Sequence, residues 1–535
     1  DPEDQFAASL KLGAADYNTQ TITTMVTGPM TETVSARLAV GSHRSDGYYE
    51  NSFLRTKRNN SQDEQSIRGK LSAEMSANWQ LNFSLSHVDI DNGYDAFTLD
   101  NSRTTLSDEP GQDQQESLAL AIDSSWQLDN FDLKLIVGLA DSDMEYGYDE
   151  DWTFAGIHPD GYMSRDNYIR DRKTQSLEFR FLSNDSSRLF ADSTDWLFGV
   201  YTLKSSESLK REYTFLASDF RSDYDFDTAA VFFQLDSSLS EKLTLETGLR
   251  VERRDTIYRD SELLGFSPTE TLWGGRVAAK YLLNSNTIAY ASIARGYKAG
   301  GFNTDGTLDA DLREFGEEFL VEYEMGIKSS LLENKLYLKA AWFHDDRHEQ
   351  QVKSSIGRIR ANGSTEFVDF IGNAAEGTNN GVEFEAVWYP SEQLGLTASL
   401  GLLGATFDSF VNSANQDLSG RDQAHAPGYM AHFAADYSLG AWSLSVSLDA
   451  KDDFYFSDSH NIQSDPYELL NMNLSYSSEQ WTLSFWGRNL TNQDYAVRGF
   501  FFGEFGNDPR KGYAPEPYVQ FGETRMVGVS YEVQL

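Results

Sequence analysis

Seven residues between positions 498 and 513 combine ring and charge: Arg498, Phe500, Phe501, Phe502, Phe505, Arg510 and Tyr513. Aromatic faces beside guanidinium groups in a polar stretch suit a flat, anionic ligand held by stacking and charge. The same phenylalanines also suit packing of the stretch against itself or the rest of the molecule. Arg295, Tyr297, Lys298 and Phe302 form a second group of similar make-up, open to the same two readings. Asp305, Asp309 and Asp311, close to Glu314, carry the oxygen ligands that a hard cation such as Ca²⁺ takes. They lack the EF-hand spacing, and a solvated acidic run is the plainer account of them.

Bond chemistry finds no footing. The 8 His show no HExxH or other paired metal spacing, and His344, His348, His425, His432 and His460 are scattered. No GxSxG, Gly-rich phosphate loop or CxxC occurs, and with Cys 0 there is no disulfide, thiolate metal site or thiol nucleophile. The expectation is a binding protein without cofactor, not an enzyme. A formal net charge of -39 excludes a nucleic-acid partner, which needs clustered Lys and Arg. Such acidity suits a solvated surface or acidic loops facing a cell surface rich in divalent cations.

The elements that must position these groups are strands. Trp79, Leu81, Phe83 and Leu85 alternate with Gln80, Asn82, Ser84 and Ser86. Trp442 to Ala450, Leu470 to Tyr476, Trp481 to Phe485 and Val527 to Leu535 alternate in the same way, the period of a strand with unlike faces. No run of about 18 apolar residues exists for a helical span. A mean hydropathy of -0.50 looks soluble, but alternating strands of a membrane barrel also average low.

The connections separate a barrel from a sandwich. Short ones, such as Ser76-Ala77-Asn78, Leu128-Asp129-Asn130, Ser240-Glu241-Lys242 and Leu439-Gly440, take turns with long polar ones. The long set includes Arg44 to Glu64, Asp89 to Gln115, Tyr146 to Arg172, Leu209 to Arg221, Arg254 to Pro268, Tyr297 to Glu317, Arg347 to Glu376, Asp408 to Pro427, Lys451 to Pro466 and Thr491 to Pro517. Only Tyr17-Asn18 is tight on that side. This sorting predicts an all-β, transmembrane antiparallel barrel of about 22 strands, with short periplasmic turns and long extracellular loops. Trp79, Trp126, Trp196, Trp388, Trp442 and Trp481 all fall beside short turns, as an interfacial aromatic girdle requires. Mid-strand charges at Arg68, Lys70, Glu178, Arg180, Glu246, Arg250, Glu252, Glu383 and Glu385 must then face a lumen. So wide a barrel needs a plug or it leaks.

Five segments, in order, resemble the TonB-dependent receptor family. They are Ala294 to Asn303, Glu322 to Lys328, Asn379 to Glu385, Gly487 to Tyr495 and Gln520 to Gly528. The resemblance implies a Gram-negative outer-membrane receptor that binds a scarce ligand in its outer loops for TonB-driven import. It makes a ferric siderophore the first expectation, with cobalamin, haem, saccharide and peptide open. Its implied partners are outer-membrane lipid and lipopolysaccharide, a small iron chelate, and TonB–ExbB–ExbD acting through a plug. On this resemblance residues 1–535 are expected to correspond to the barrel domain, since Asp1 to Gln5 leads straight into the first strand where the family carries its plug and TonB-engaging segment. A passive, substrate-selective porin and a surface interaction protein are the competing readings.

Overall fold

Strand formation follows from the alternation: one face of each segment is apolar, the other polar, so only a two-sided sheet satisfies both. The computed structural model describes residues 1–159, 161–360, 365–413, 415–503 and 506–535. Its membrane-spanning strands run, in chain order, β1 Ala7–Ala15, β2 Thr19–Pro29, β3 Val34–Ser45, β4 Gln62–Ser76, β5 Trp79–Gly93, β6 Gln112–Gln127, β7 Asp132–Asp149 and β8 Arg165–Leu182. Next come β9 Thr194–Tyr213, β10 Phe220–Ser238, β11 Leu243–Asp260, β12 Thr269–Asn284, β13 Thr287–Lys298, β14 Glu318–Leu331 and β15 Leu336–Ile359. The last are β16 Thr365–Trp388, β17 Leu394–Phe410, β18 Tyr429–Leu439, β19 Trp442–Lys451, β20 Tyr467–Ser477, β21 Trp481–Arg488 and β22 Met526–Gln534. The sheet has 23 segments, and one of them, Gly265–Phe266, is a two-residue extension along β11, which leaves 22 spans.

Every strand pairs antiparallel with its sequence neighbours, and β1 meets β22 from Ser9↔Gln534 to Ala15↔Gly528. Closure leaves no strand edge, as a spanning sheet in lipid requires. Val231, Val251 and Trp273 are successive register partners with exposed side chains, part of the outward apolar belt. One residue along, Phe232, Arg250 and Gly274 form the inward row. Arg250 is held there by Glu252 at 2.6 Å and the Tyr297 hydroxyl at 3.1 Å. Lys339 and Glu385, also inward register partners, pair at 2.7 Å. A charge of this kind facing lipid would cost about 2–4 kcal/mol at mid-membrane; the lumen removes that cost.

The girdle of aromatics at the short-turn rim forms contacts from strand to strand. Trp79 stacks on its register partner Trp126 at 6.0 Å. Trp442, Tyr476, Trp481 and Tyr531 run along the same rim with ring separations of 5.0, 5.5 and 6.0 Å. Trp196 differs, because its indole donates to the Ser187 carbonyl of the one longer turn. On the opposite side Tyr17 and Asn18 both take positive φ (59° and 53°), the two-residue hairpin turn.

Several stretches expected as loops are strand instead. β9 and β10 leave only residues 214–219 between them, and β15 and β16 reach 24 residues each. A membrane crossing needs about 9–11. Above the lipid both sheet faces meet water or protein, so polarity on both faces does not end the hydrogen-bonded ladder. Alternation therefore marks only the buried part of a strand. Just above the apolar belt, Asp89, Glu116, Asp143 and Asp171 stand in register on β5 to β8, a row of four outward carboxylates.

Candidate ligand-binding mouth

The last and longest connection folds back as a hairpin of Ala496–Phe501 against Pro517–Phe521. Tyr518 anchors it. The side chain is fully buried, its hydroxyl accepts the Asn507 and Asp508 amides at 2.9 and 3.1 Å, and it donates to Glu516 at 3.0 Å. Around Tyr518 gather Phe97, Leu99 and Trp152, with Phe500 and Phe502 packed against them. Three connections that are remote in sequence thus share one small apolar core over the barrel mouth.

Beneath this core lies a cavity of about 940 Å³, within the size range of small-ligand sites. Arg498, Phe500, Phe502 and Tyr513 line it from the last loop, Trp152 and His158 from the fourth outer connection, and Tyr94, Tyr146, Tyr148 and Tyr168 from β5, β7 and β8 or their ends. Arg498 donates toward the Tyr94 hydroxyl at 3.4 Å and lies over the Phe500 and Phe97 rings at 5.1 and 5.9 Å. Tyr94 meets Tyr146 edge-on at 5.0 Å. Among the described residues no carboxylate pairs with Arg498. The other cations of the lining are engaged: Lys353 with Asp369 at 2.7 Å and Arg170 with Glu207 at 3.6 Å. His158 faces the Tyr513 hydroxyl through Nδ1 at 3.1 Å. Burial lowers its pKa, so the ring is neutral at neutral pH. The cavity therefore offers rings, phenol donors, three carboxylates (Glu150, Asp305 and Asp369) and, at Arg498, a guanidinium without a carboxylate partner among the described residues: on the Arg498 side it can stack a flat ligand and meet an anionic group.

The residues singled out from sequence separate into two sets. Arg498, Phe500, Phe502 and Tyr513 line the cavity. Phe501 turns its ring to the edge of His460 at 6.2 Å. Arg510 is tied to Asp508 at 2.8 Å and Asp100 at 2.7 Å, outside the cavity. Phe505 lies outside the described residues. Arg295 rests over Trp273 and Phe319 at 4.3 and 4.4 Å on the outer wall. Tyr297 holds the luminal Arg250, and Lys298 ends β13 exposed. Phe302 stacks on Tyr258 at 4.8 Å and 11° within a cluster that includes Tyr224 and Phe266. Of the second group, Arg295, Tyr297 and Phe302 thus each meet a side chain of a neighbouring strand, and none of the four lines this cavity.

The acidic trio is dispersed rather than gathered. Asp305 pairs with Arg211 at 2.6 Å, Asp309 with Arg358 at 2.6 Å, and Asp311 sits in the turn Ala310–Leu312. Among the described residues no set of three His, Asp or Glu side chains stands in metal-holding geometry. Sequence reading missed Tyr94, Trp152, His158, Tyr162 and Tyr168. One signal was present: Tyr146 and Tyr148 are two apart, on the same face of β7.

Residues 87–490 match the family model described as "TonB dependent receptor-like, beta-barrel". The chain belongs to the TonB-dependent receptor family. Among curated proteins, the pesticin receptor of Yersinia pestis is 23% identical over 329 residues, 58% of this chain and 46% of that protein. A pesticin receptor of Yersinia enterocolitica is 24% identical over the same shares. The chain spans about half the length of these curated relatives. Of solved structures, the ferric yersiniabactin uptake receptor FyuA of Yersinia pestis superposes at TM-score 0.84 with 18% identity, covering 100% of this chain and 81% of that one. The siderophore receptor PiuA of Acinetobacter baumannii gives 0.79 with 14% identity, covering 100% and 82%. At such identities the likeness speaks for the fold, a TonB-dependent receptor barrel of the Gram-negative outer membrane.

Proposed function

We propose that this barrel is the membrane-spanning part of a receptor that captures an anionic ferric siderophore at its mouth for TonB-driven import. The observation that carries the ligand class is Arg498, a guanidinium without a carboxylate partner among the described residues, set among Tyr94, Phe97 and Phe500 on the cavity wall. A cation left unneutralised beside rings favours an anionic, partly flat ligand over a neutral saccharide. That FyuA is a ferric yersiniabactin uptake receptor and PiuA a siderophore receptor supports an iron chelate as the ligand. Import draws on TonB–ExbB–ExbD acting through a plug domain lodged in the charged lumen. The outward row Asp89, Glu116, Asp143 and Asp171 suits the divalent cations among lipopolysaccharide headgroups, the barrel's lipid partner.

The test is growth of a receptor-deletion strain on a panel of iron complexes, with and without functional TonB. Restoration by the whole receptor on at least one anionic iron chelate, lost without TonB, is expected. Failure on every iron source, or rescue that ignores TonB, contradicts the proposal; the latter result would point to a passive porin.

A further inference from the structure

Two further basic side chains, from separate parts of the chain, stand beside the cavity and close to Arg498. Lys451 ends β19 one step out of phase with the lipid-facing Trp442 and Leu448, so it turns inward at the lumen entrance. Its Nζ lies 4.1 Å from the centre of the Phe454 ring, and among the described residues it has no hydrogen bond or ion pair. His425, between β17 and β18, is exposed and meets the same ring at 5.4 Å. It has no carboxylate partner within ion-pair distance among the described residues. With Asp+Glu 83 against Lys+Arg 44, a cation of this chain has carboxylates in plenty, so a lysine without one marks a place open to another anion.

The frame around these two groups is fixed. Phe454 is buried, its amide donates to Ser464 Oγ at 3.1 Å, and its carbonyl accepts the Ser464 amide at 2.9 Å. The His425 amide donates to the Tyr455 carbonyl at 2.9 Å, with φ at 57°, a left-handed conformation uncommon outside glycine. Arg421 covers the Tyr455 ring at 4.0 Å and donates to the Ser457 and His460 carbonyls at 2.7 and 2.8 Å, so it is spent on the frame. From Phe454 the contact runs edge-on to Phe456 at 5.6 Å, and the Phe456 ring fills the space that Gly499 leaves beside Arg498. The charged groups facing His425 are Lys451, Asp458 and Arg498. Burial, then Lys451 and Arg498, lower its pKa. Asp458 opposes them, but it accepts the Ala424 amide at 2.9 Å and burial raises its own pKa.

We propose that Lys451 and His425 form a second anion contact of the mouth, which takes an acidic group of the iron chelate distinct from the group at Arg498. The inference rests on the reading of the mouth as the site of an anionic chelate. It narrows that class to chelates with at least two separated acidic groups, carboxylates or phenolates. A lysine lying over a ring, part-stripped of water and without a counter-ion, forms a stronger charge-assisted contact with an incoming carboxylate than a fully solvated one. His425 takes a proton as the anion arrives, because nearby negative charge favours the imidazolium. Lys451 belongs to the barrel wall and Arg498 to the last loop, so a chelate that meets both is oriented across the mouth rather than held at one end.

The probe is pyrenetetrasulfonate, a flat fluorescent tetra-anion with its sulfonates set well apart, titrated by anisotropy into the full-length receptor in non-ionic detergent. Lys451→Gln should weaken binding about tenfold and His425→Gln several-fold, while Lys451→Arg stays within about threefold of wild type. Lys57→Gln removes an exposed outer-loop lysine paired with Glu50, controls for bulk charge, and should change nothing. Heat-modifiable migration of each variant on gels verifies that the barrel has formed. Binding weakened in Arg498→Ala but equal to wild type in Lys451→Gln overturns the second contact alone and assigns Lys451 to the plug. A loss as large in Lys57→Gln as in Lys451→Gln overturns it too, because bulk charge is then the cause. No binding to wild type at millimolar probe, or binding indifferent to Arg498→Ala, overturns the reading of the mouth and this inference with it.

Discussion

The Arg498 guanidinium lies 5.1 Å from the centre of the Phe500 ring, inside the mouth cavity. Twelve positions on, Arg510 is spent on Asp508 and Asp100. Two arginines of one loop, alike in sequence, therefore have opposite expected roles. Arg510→Ala should leave ligand affinity within about twofold, because exposed ion pairs are worth roughly 0–1 kcal/mol. Equilibrium binding of the growth-supporting iron chelate to the full receptor checks this; a loss of tenfold or more would move the site to Arg510.

Trp152 joins two outer connections and the last loop through Phe97 at 5.5 Å and Tyr518 at 5.1 Å. Trp152→Ala removes the centre of that small core, a change worth about 3–5 kcal/mol for a buried aromatic. The loops should become sensitive to protease while the barrel keeps its heat-modifiable gel migration. Unchanged protease resistance would show that the hairpin is held by other contacts.

How far the sequence told this in advance depends on where each residue finds its partner. The strand count and both termini on the short-turn side were legible, because alternation and loop length are local properties set by lipid on one face. The mouth was legible only in part. Phe500 and Arg498 looked suitable and line the cavity, yet so did Arg510, whose partner Asp100 is 410 positions away. Phe302 and Arg295 meet Tyr258 and Trp273 instead, contacts that arise once β11, β12 and β13 pair side by side. Tyr94 meets His158 and Tyr168 at the cavity from a separate connection, and no spacing in the sequence signals that meeting.

The face assignment makes a paired prediction on β10. Phe233 is exposed on the outward face and Gln234 is its inward neighbour. Phe233→Arg should destabilise the barrel by about 2–4 kcal/mol if near the midplane, less toward the interfaces. Gln234→Arg should cost less than about 1 kcal/mol. Urea unfolding in lipid vesicles measures both, and equal costs would contradict the alternation of lumen and lipid.

His460 supplies a pH dependence. Burial, and then Arg421, push its pKa down to about 4. The folded loop holds the ring neutral, whereas the unfolded loop takes a proton near pH 6.5. Folding stability of the loop should therefore be constant above that value and fall as pH drops toward about 4. His460→Asn keeps a side-chain acceptor near the Ile462 amide, which His460 Nδ1 accepts at 3.3 Å, and should flatten the response. A fluorophore on Asn461→Cys reports loop mobility cleanly, since the chain has Cys 0. An unchanged pH response in His460→Asn would place the titration elsewhere.

The most direct test of the binding account is the affinity of full-length receptor for its growth-supporting ferric chelate in wild type and Arg498→Ala, measured by tryptophan fluorescence. Loss of a charge-assisted contact of about 1.5–3 kcal/mol predicts weakening of about 10- to 100-fold. An affinity equal to wild type in Arg498→Ala would contradict it.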